Sequence, residues 1–245
     1  MGADGAATLG DSTHPTIKQP VKKLTIINDS MIVGISGHVG LAQQFIWELE
    51  KQKGASFYRG HGNDRRLKSP EEIAAVLEKA FLPHIQRRIE AVKSTFGDAA
   101  DAACDTLIAM PFDDKPKLLS LNKQASSELA SEGLPFVTIG SGRLIADSFL
   151  AFLKEVFWKD SQPKLADAIF ATVWALDHAI ENAPGYLGKP KQIVVLEKNK
   201  TWKARGFSED ELELKEHQQH IDAAKEALRK FKEEGAVTPP PPPPQ

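Results

Sequence analysis

Apolar and polar positions change period several times along this chain, and each change marks an element. Residues 21–36, VKKLTIINDSMIVGIS, set two short β-rich runs on either side of Asn28, Asp29 and Ser30, which predicts a hairpin. In HVGLAQQFIWELEKQKG, Leu41, Phe45, Ile46 and Leu49 share one helical face and Gly54 supplies a C-terminal stop, so a helix follows directly. ASFYRGHGNDRRLK has no period and reads as a loop. Ser69, Pro70 and Glu72 then give an N-cap, a first-turn proline and a capping-box glutamate, opening a long helix that bends at Pro83 and runs towards Gly97. DTLIAMPF and KPKLLSLN predict two strands joined through Asp113 and Asp114, and LPFVTIGSG a third strand that enters a helix near Arg143. A further helix covers roughly Pro163 to Asn182, and QIVVLEK closes the body as a strand.

Strands and helices therefore come in blocks instead of strict alternation, which argues for helices layered on antiparallel sheets and an α+β class. Residues 208–235 form an appended amphipathic helix: Ser208 and Glu211 make a second capping box, Lys230 and Lys232 sit near its end, and Gly235 stops it. Its stripe of Leu214, Ile221 and Leu228 suits docking on the body or on a neighbour. Six prolines, Pro239 to Pro244, then impose an extended tail over 236–245. The expected organisation is a body over 1–207, the helix over 208–235 and the tail over 236–245.

A length of 245 residues with 41% hydrophobic and 26% charged positions fits one large globular domain. The net charge of −2 advertises no nucleic-acid surface. A single cysteine, Cys104, permits no internal disulfide and suits a reducing compartment. No apolar run approaches a membrane span and no leader pattern precedes residue 20, so the expected location is cytoplasmic, with no membrane partner.

Candidate chemistry is spread over several places. Gly140, Ser141 and Gly142 lie where a strand passes into a helix, either cradling an anion on backbone amides or permitting a tight turn capped by the serine. Thr138 stands where a Gly-x-Ser-x-Gly elbow needs its first glycine, which argues against a serine hydrolase of that type. His217 and His220 share a helix face without an accompanying metal signature, and no metal or cofactor is expected. Arg59, His61, Arg65 and Arg66 could hold a phosphate or an acidic peptide, with a solvated loop as the default reading, and His178 beside Asp177 is open in the same way. The most informative set lies near the N-terminus: Asp4 in a turn between small residues, Lys22 and Lys23 opening a strand, and Ser36 with Gly37 closing the next. A lysine held beside a carboxylate can help remove a proton from a nucleophile, and a glycine amide at a strand end can stabilise an oxyanion. An exposed lysine and a turn glycine are the plainer alternative.

These stretches resemble the proteasome β-subunit family of N-terminal-nucleophile hydrolases, nearest its bacterial HslV-like branch. GADGAATLG resembles the family's Gly-Asp-Gly turn, VKKLTIINDSMIVGISGHVGLAQQF its lysine strand, hairpin and first helix, and FVTIGSG its Gly-Ser-Gly strand end, with block order matching from residue 2 to about 198. The resemblance implies a four-layer α-β-β-α sandwich of two antiparallel sheets flanked by helices. The activity it implies is that of a self-compartmentalising threonine-type peptidase: peptide-bond hydrolysis on peptides or unfolded proteins within a homo-oligomeric ring, with any unfoldase partner unidentified. Position by position it assigns Asp4 to orienting the lysine, Lys23 to that lysine with Lys22 as the register alternative, and Gly37 to the oxyanion amide. Ser141 falls to the serine near the nucleophile's amino group, Thr8 to the backbone that holds an extended substrate, and Ile35 and Val39 to the side-chain pocket. Asp177 corresponds loosely to a remaining aspartate.

The resemblance also implies a strand, headed by the nucleophile, ahead of the aspartate. Only three residues precede Asp4 here, so the first strand is expected to be missing from the chain as written, through a misplaced start or a real loss. On either account this chain should not cleave peptides by the family mechanism. The competing expectation is a catalytically inactive assembly or binding subunit.

Overall fold

The computed structural model describes residues 1–10, 15–51, 70–96, 104–112, 114–123, 126–159, 161–208 and 211–234. In chain order the elements are β1 (Gly2–Ala3), β2 (Ala6–Gly10), β3 (Pro15–Pro20), β4 (Leu24–Ile27), β5 (Met31–Gly37), α1 (Val39–Lys51) and α2 (Pro70–Phe96). There follow β6 (Cys104–Phe112), β7 (Lys115–Leu121), β8 (Ser127–Leu129), α3 (Arg143–Phe157), α4 (Leu165–Asn182), β9 (Gln192–Asn199), β10 (Thr201–Phe207) and α5 (Leu212–Glu234). A five-stranded antiparallel sheet has the order β4-β5-β6-β7-β8, a three-stranded one β1-β9-β10, and β2-β3 stands as a separate hairpin.

The layering follows from which face each strand buries. β6 alternates strictly, sending Cys104, Ile108 and Met110 into a core with Leu41, Phe45 and Leu49 of α1 and Leu77, Phe81 and Ile85 of α2. Both helices bury residues four apart, and the Phe45 and Phe81 rings meet edge-on with centroids 4.4 Å apart. The opposite face of the sheet meets the three-stranded sheet through Leu24, Ile32 and Val194. On the far side of that second sheet, Ile193, Val195 and Phe207 pack with Leu153, Trp174 and Ile221 of α3, α4 and α5. The result is a four-layer α-β-β-α sandwich.

Pro83 lies inside one helix, Pro70–Phe96, as the long-helix reading expected. Other details differ from the sequence reading. LPFVTIGSG forms no paired strand: Pro135 to Ile139 run without helix, turn or bend, and the fifth strand of the large sheet is Ser127–Leu129. β10 escaped notice because TWKARGF carries its apolar residues at the ends of the run, and a left-handed Lys200 (φ 64°) folds it straight back on β9. α5 takes the first of the two placements its stripe allowed, docked on the body with Leu214 and Ile221 buried in the same core as α4. Gly54, the 55–68 loop with its arginines and histidine, Asp113, and the tail after Glu234 lie outside the described residues. Among the described residues no helix is long and apolar enough to cross a membrane.

Candidate functional site

Asp4 follows β1 directly and is buried. Its Oδ1 accepts from Lys23 Nζ at 2.5 Å, and its Oδ2 accepts from the backbone N–H groups of Ala6 (3.1 Å) and Gly188 (3.2 Å). Three donors from separate parts of the chain thus fix one carboxylate, which offsets its desolvation. Lys23 is held as firmly through its main chain. Its N–H donates to Gln192 Oε1 (2.9 Å), its carbonyl accepts from Ile35 N (3.3 Å), and Gln192 Nε2 donates to Val21 O (2.6 Å). The lysine is therefore pinned between the two sheets, while Lys22 beside it is exposed.

Asp4 and Lys23 border a cavity of about 340 Å³ that opens between β1, the end of β5, residues 135–142, and helices α3 and α4. Ile35, Ser36 and Ser141 also line it. Gly140 has φ 88°, and a Cβ on it would come within 2.5 Å of Ser36 Oγ, so only glycine lets this turn close against the end of β5. The turn is capped without the serine: Gly142 is the N-cap of α3 with no side-chain hydrogen bond, and Arg143 N donates to Gly140 O (3.1 Å). Ser141 is left exposed at the cavity. Gly37, with φ 104°, ends β5 opposite Cys104 at the surface. At the first residue, the buried Met1 amino group donates to Val194 O (2.7 Å), and loss of hydration pushes its pKa down to about 6.

Thr8 pairs with Lys18 in the β2–β3 hairpin and Val39 opens α1, but their side chains lie outside the described residues. Asp177 is not at the cavity's polar end. It takes Lys191 Nζ at 2.7 Å, and Lys191 also reaches Gln218 Oε1 (3.1 Å), a buried clasp joining α4, the approach to β9 and α5. His217 is partly buried, which pushes its pKa down, and His220 is exposed. Sequence reasoning missed Gln192, whose partners lie about 170 positions away and leave no local signal.

This overall fold occurs in solved structures. The chain is similar in fold to Anbu, an ancestral β-subunit. Anbu from Yersinia bercovieri superposes with a TM-score of 0.66 at 14% identity, over 94% of this chain and 91% of that one. Anbu from Pseudomonas aeruginosa, solved as a helical assembly of the Anbu complex, gives 0.67 at 15% identity, over 98% and 93%. Anbu from Hyphomicrobium sp. strain MC1 gives 0.64 at 14%, over 97% and 93%. No protein-family model matches the chain, and no curated protein matches it by sequence. At this identity the likeness establishes the fold, a proteasome-like N-terminal-nucleophile hydrolase fold. It also corrects the placement made from motifs, since these neighbours are Anbu proteins and not the HslV-like β-subunits of that reading.

Proposed function

We propose that this chain is a subunit of a proteasome-like, self-compartmentalising homo-oligomer built for work on peptides or unfolded proteins, with its peptidase-type site at the Asp4–Lys23 cavity. The observation that carries the reading is the 2.5 Å contact between Lys23 Nζ and the buried Asp4 carboxylate at the edge of that cavity. Asp4 orients the lysine. The Lys23 ammonium lowers the cost of drawing a proton from an attacking hydroxyl presented beside it. The Gly37 amide serves the developing oxyanion, and Ser141 hydrogen-bonds near the attacking residue. Thr8 holds an extended substrate by its backbone, and Ile35 and Val39 shape the side-chain pocket. The lone, buried Cys104 suits a reducing cytoplasmic setting.

Exposed apolar side chains support assembly. Leu144 is 82% exposed and Phe231 75%, and Phe152, Val156 and Phe157 of α3 are exposed as well, apolar side chains that an interface between subunits would cover. The Anbu complex of Pseudomonas aeruginosa is itself an assembly.

The catalytic part is tested by placing a threonine-headed strand ahead of Met1 and following a fluorogenic peptide. Turnover should appear, and Lys23→Ala should remove it by at least about a hundredfold without changing particle size. Turnover indifferent to Lys23→Ala would defeat the assignment; an inert but assembled protein would favour the assembly or binding subunit.

A further inference from the structure

Gln192, the first residue of β9, holds two parts of the site at once. By its place in the sheet it stands opposite Ala3 of β1, the residue before Asp4. By its side chain it reaches the stretch that enters the other sheet. Its Oε1 accepts from the N–H of Lys23 (2.9 Å) and, at longer range, of Leu24 (3.4 Å), and its Nε2 donates to Val21 O (2.6 Å). The two short contacts straddle one residue. Val21 O belongs to the peptide group before the Lys22 Cα and Lys23 N to the one after it, so a single amide fixes both peptide planes and the two soft backbone angles between them. Residues 21–23 run between β3 and β4 without turn or bend, and consecutive side chains of an extended chain point to opposite sides. The grip therefore sends Lys22 out to solvent, where it is exposed, and Lys23 inward to the Asp4 carboxylate at 2.5 Å.

The neighbouring contacts set the approach of the two stretches without making that choice. Val21 N donates to Gly5 O (2.9 Å) at the base of the β2–β3 hairpin, and Ile35 N donates to Lys23 O (3.3 Å) where the chain joins β5. Neither touches both peptide groups beside Lys22. Gln192 itself is not among the residues that line the cavity. We propose that Gln192 is a positioning residue of this site: its side-chain amide selects Lys23 over Lys22 as the partner of Asp4, acting on the lysine's backbone and not on a reacting group. Glutamine suits the task because one planar amide carries a donor and an acceptor side by side. A carboxylate has no donor for Val21 O, and an asparagine presents the same amide one methylene short. The consequence for turnover rests on the peptidase reading of Lys23, whereas the pairing does not, and the pairing is what the test measures.

The probe is trace acetic anhydride on the full chain, with the reactivity of each lysine read residue by residue by tandem mass spectrometry. Wild type is compared with Gln192→Leu and Gln192→Asn, each checked for a cooperative urea transition. In wild type Lys23 should acetylate about tenfold or more slowly than Lys22, because its charge-assisted hydrogen bond to Asp4 has to break first. In the variants that ratio should fall to about threefold or less, with Lys154 of α3 and Lys225 of α5 unchanged. Should the leucine variant not fold, the asparagine variant, which keeps an amide at the position, gives the reading. A folded variant with the wild-type ratio would overturn the proposal. So would a uniform rise that includes Lys154 and Lys225, which would make Gln192 a general stabiliser of the fold, and so would equal reactivity of Lys22 and Lys23 in wild type. Failure of the peptidase reading gives a different result: turnover indifferent to Lys23→Ala in the strand-extended protein, with the labelling ratio intact.

Discussion

Removing the Asp4 carboxylate without changing its shape probes the most constrained contact in the site. In Asp4→Asn the lysine ammonium loses its only charged partner among the described residues, with the Lys23 side chain 22% exposed and that of Asp4 8%. Breaking a buried ion pair from one side costs about 3–5 kcal/mol, and the residual exposure of Lys23 sets the expectation near the lower end, about 3 kcal/mol. The asparagine oxygen can still accept from Ala6 or Gly188, which keeps the loss from growing. Lys23→Met leaves a carboxylate that retains two backbone donors, so about 2 kcal/mol is expected. With both charges gone the double variant should be no worse than Asp4→Asn alone, which makes the coupling energy about 2 kcal/mol. For a chain of this length that single variant should melt about 6–12 °C lower. Thermal unfolding at one fixed protein concentration, followed by tryptophan fluorescence, gives the four corners of the cycle. Additivity within about 0.5 kcal/mol would refute the pairing, because it would mean that the lysine and the carboxylate do not sense each other.

Ile221 is fully buried on α5, so Ile221→Ala should cost about 2–5 kcal/mol; a change under 1 kcal/mol by urea denaturation would mean that α5 does not dock on the body. Gly140→Ala combines a left-handed backbone with a Cβ 2.5 Å from Ser36 Oγ and should cost about 1–3 kcal/mol by the same assay, with wild-type stability contradicting the described turn. Burial pushes the Cys104 thiol up to about 11, so the native protein at pH 8 should resist alkylation that the urea-unfolded chain undergoes readily; rapid native labelling by iodoacetamide would place Cys104 at the surface.

The body was legible where the period of apolar residues matched one buried face. The β4–β5 hairpin around Asn28 and Asp29, both left-handed, and the α1 stripe of Leu41, Phe45 and Leu49 follow directly from local chemistry. What was hidden depends on partners distant in sequence. FVTIG has strand-like composition, but strand formation requires a neighbouring backbone, and none among the described residues pairs with it. TWKARGF exposes most of its residues at a sheet edge and so lacks an apolar signal. At the site, spacing left Lys22 and Lys23 equivalent. The choice is made by Gln192 and Ile35, which clamp the Lys23 backbone so that its side chain alone meets Asp4. Asp177 looked available in sequence because Lys191, its partner, lies beyond an irregular connection.

The central claim, a subunit of a multi-subunit proteasome-like particle, is tested most directly by measuring the mass of the purified chain in dilute solution by light scattering, with electron microscopy of the same sample. The account predicts a discrete particle of many subunits, seen as a ring or a helical array. A species with the mass of one chain across the concentration range would contradict it.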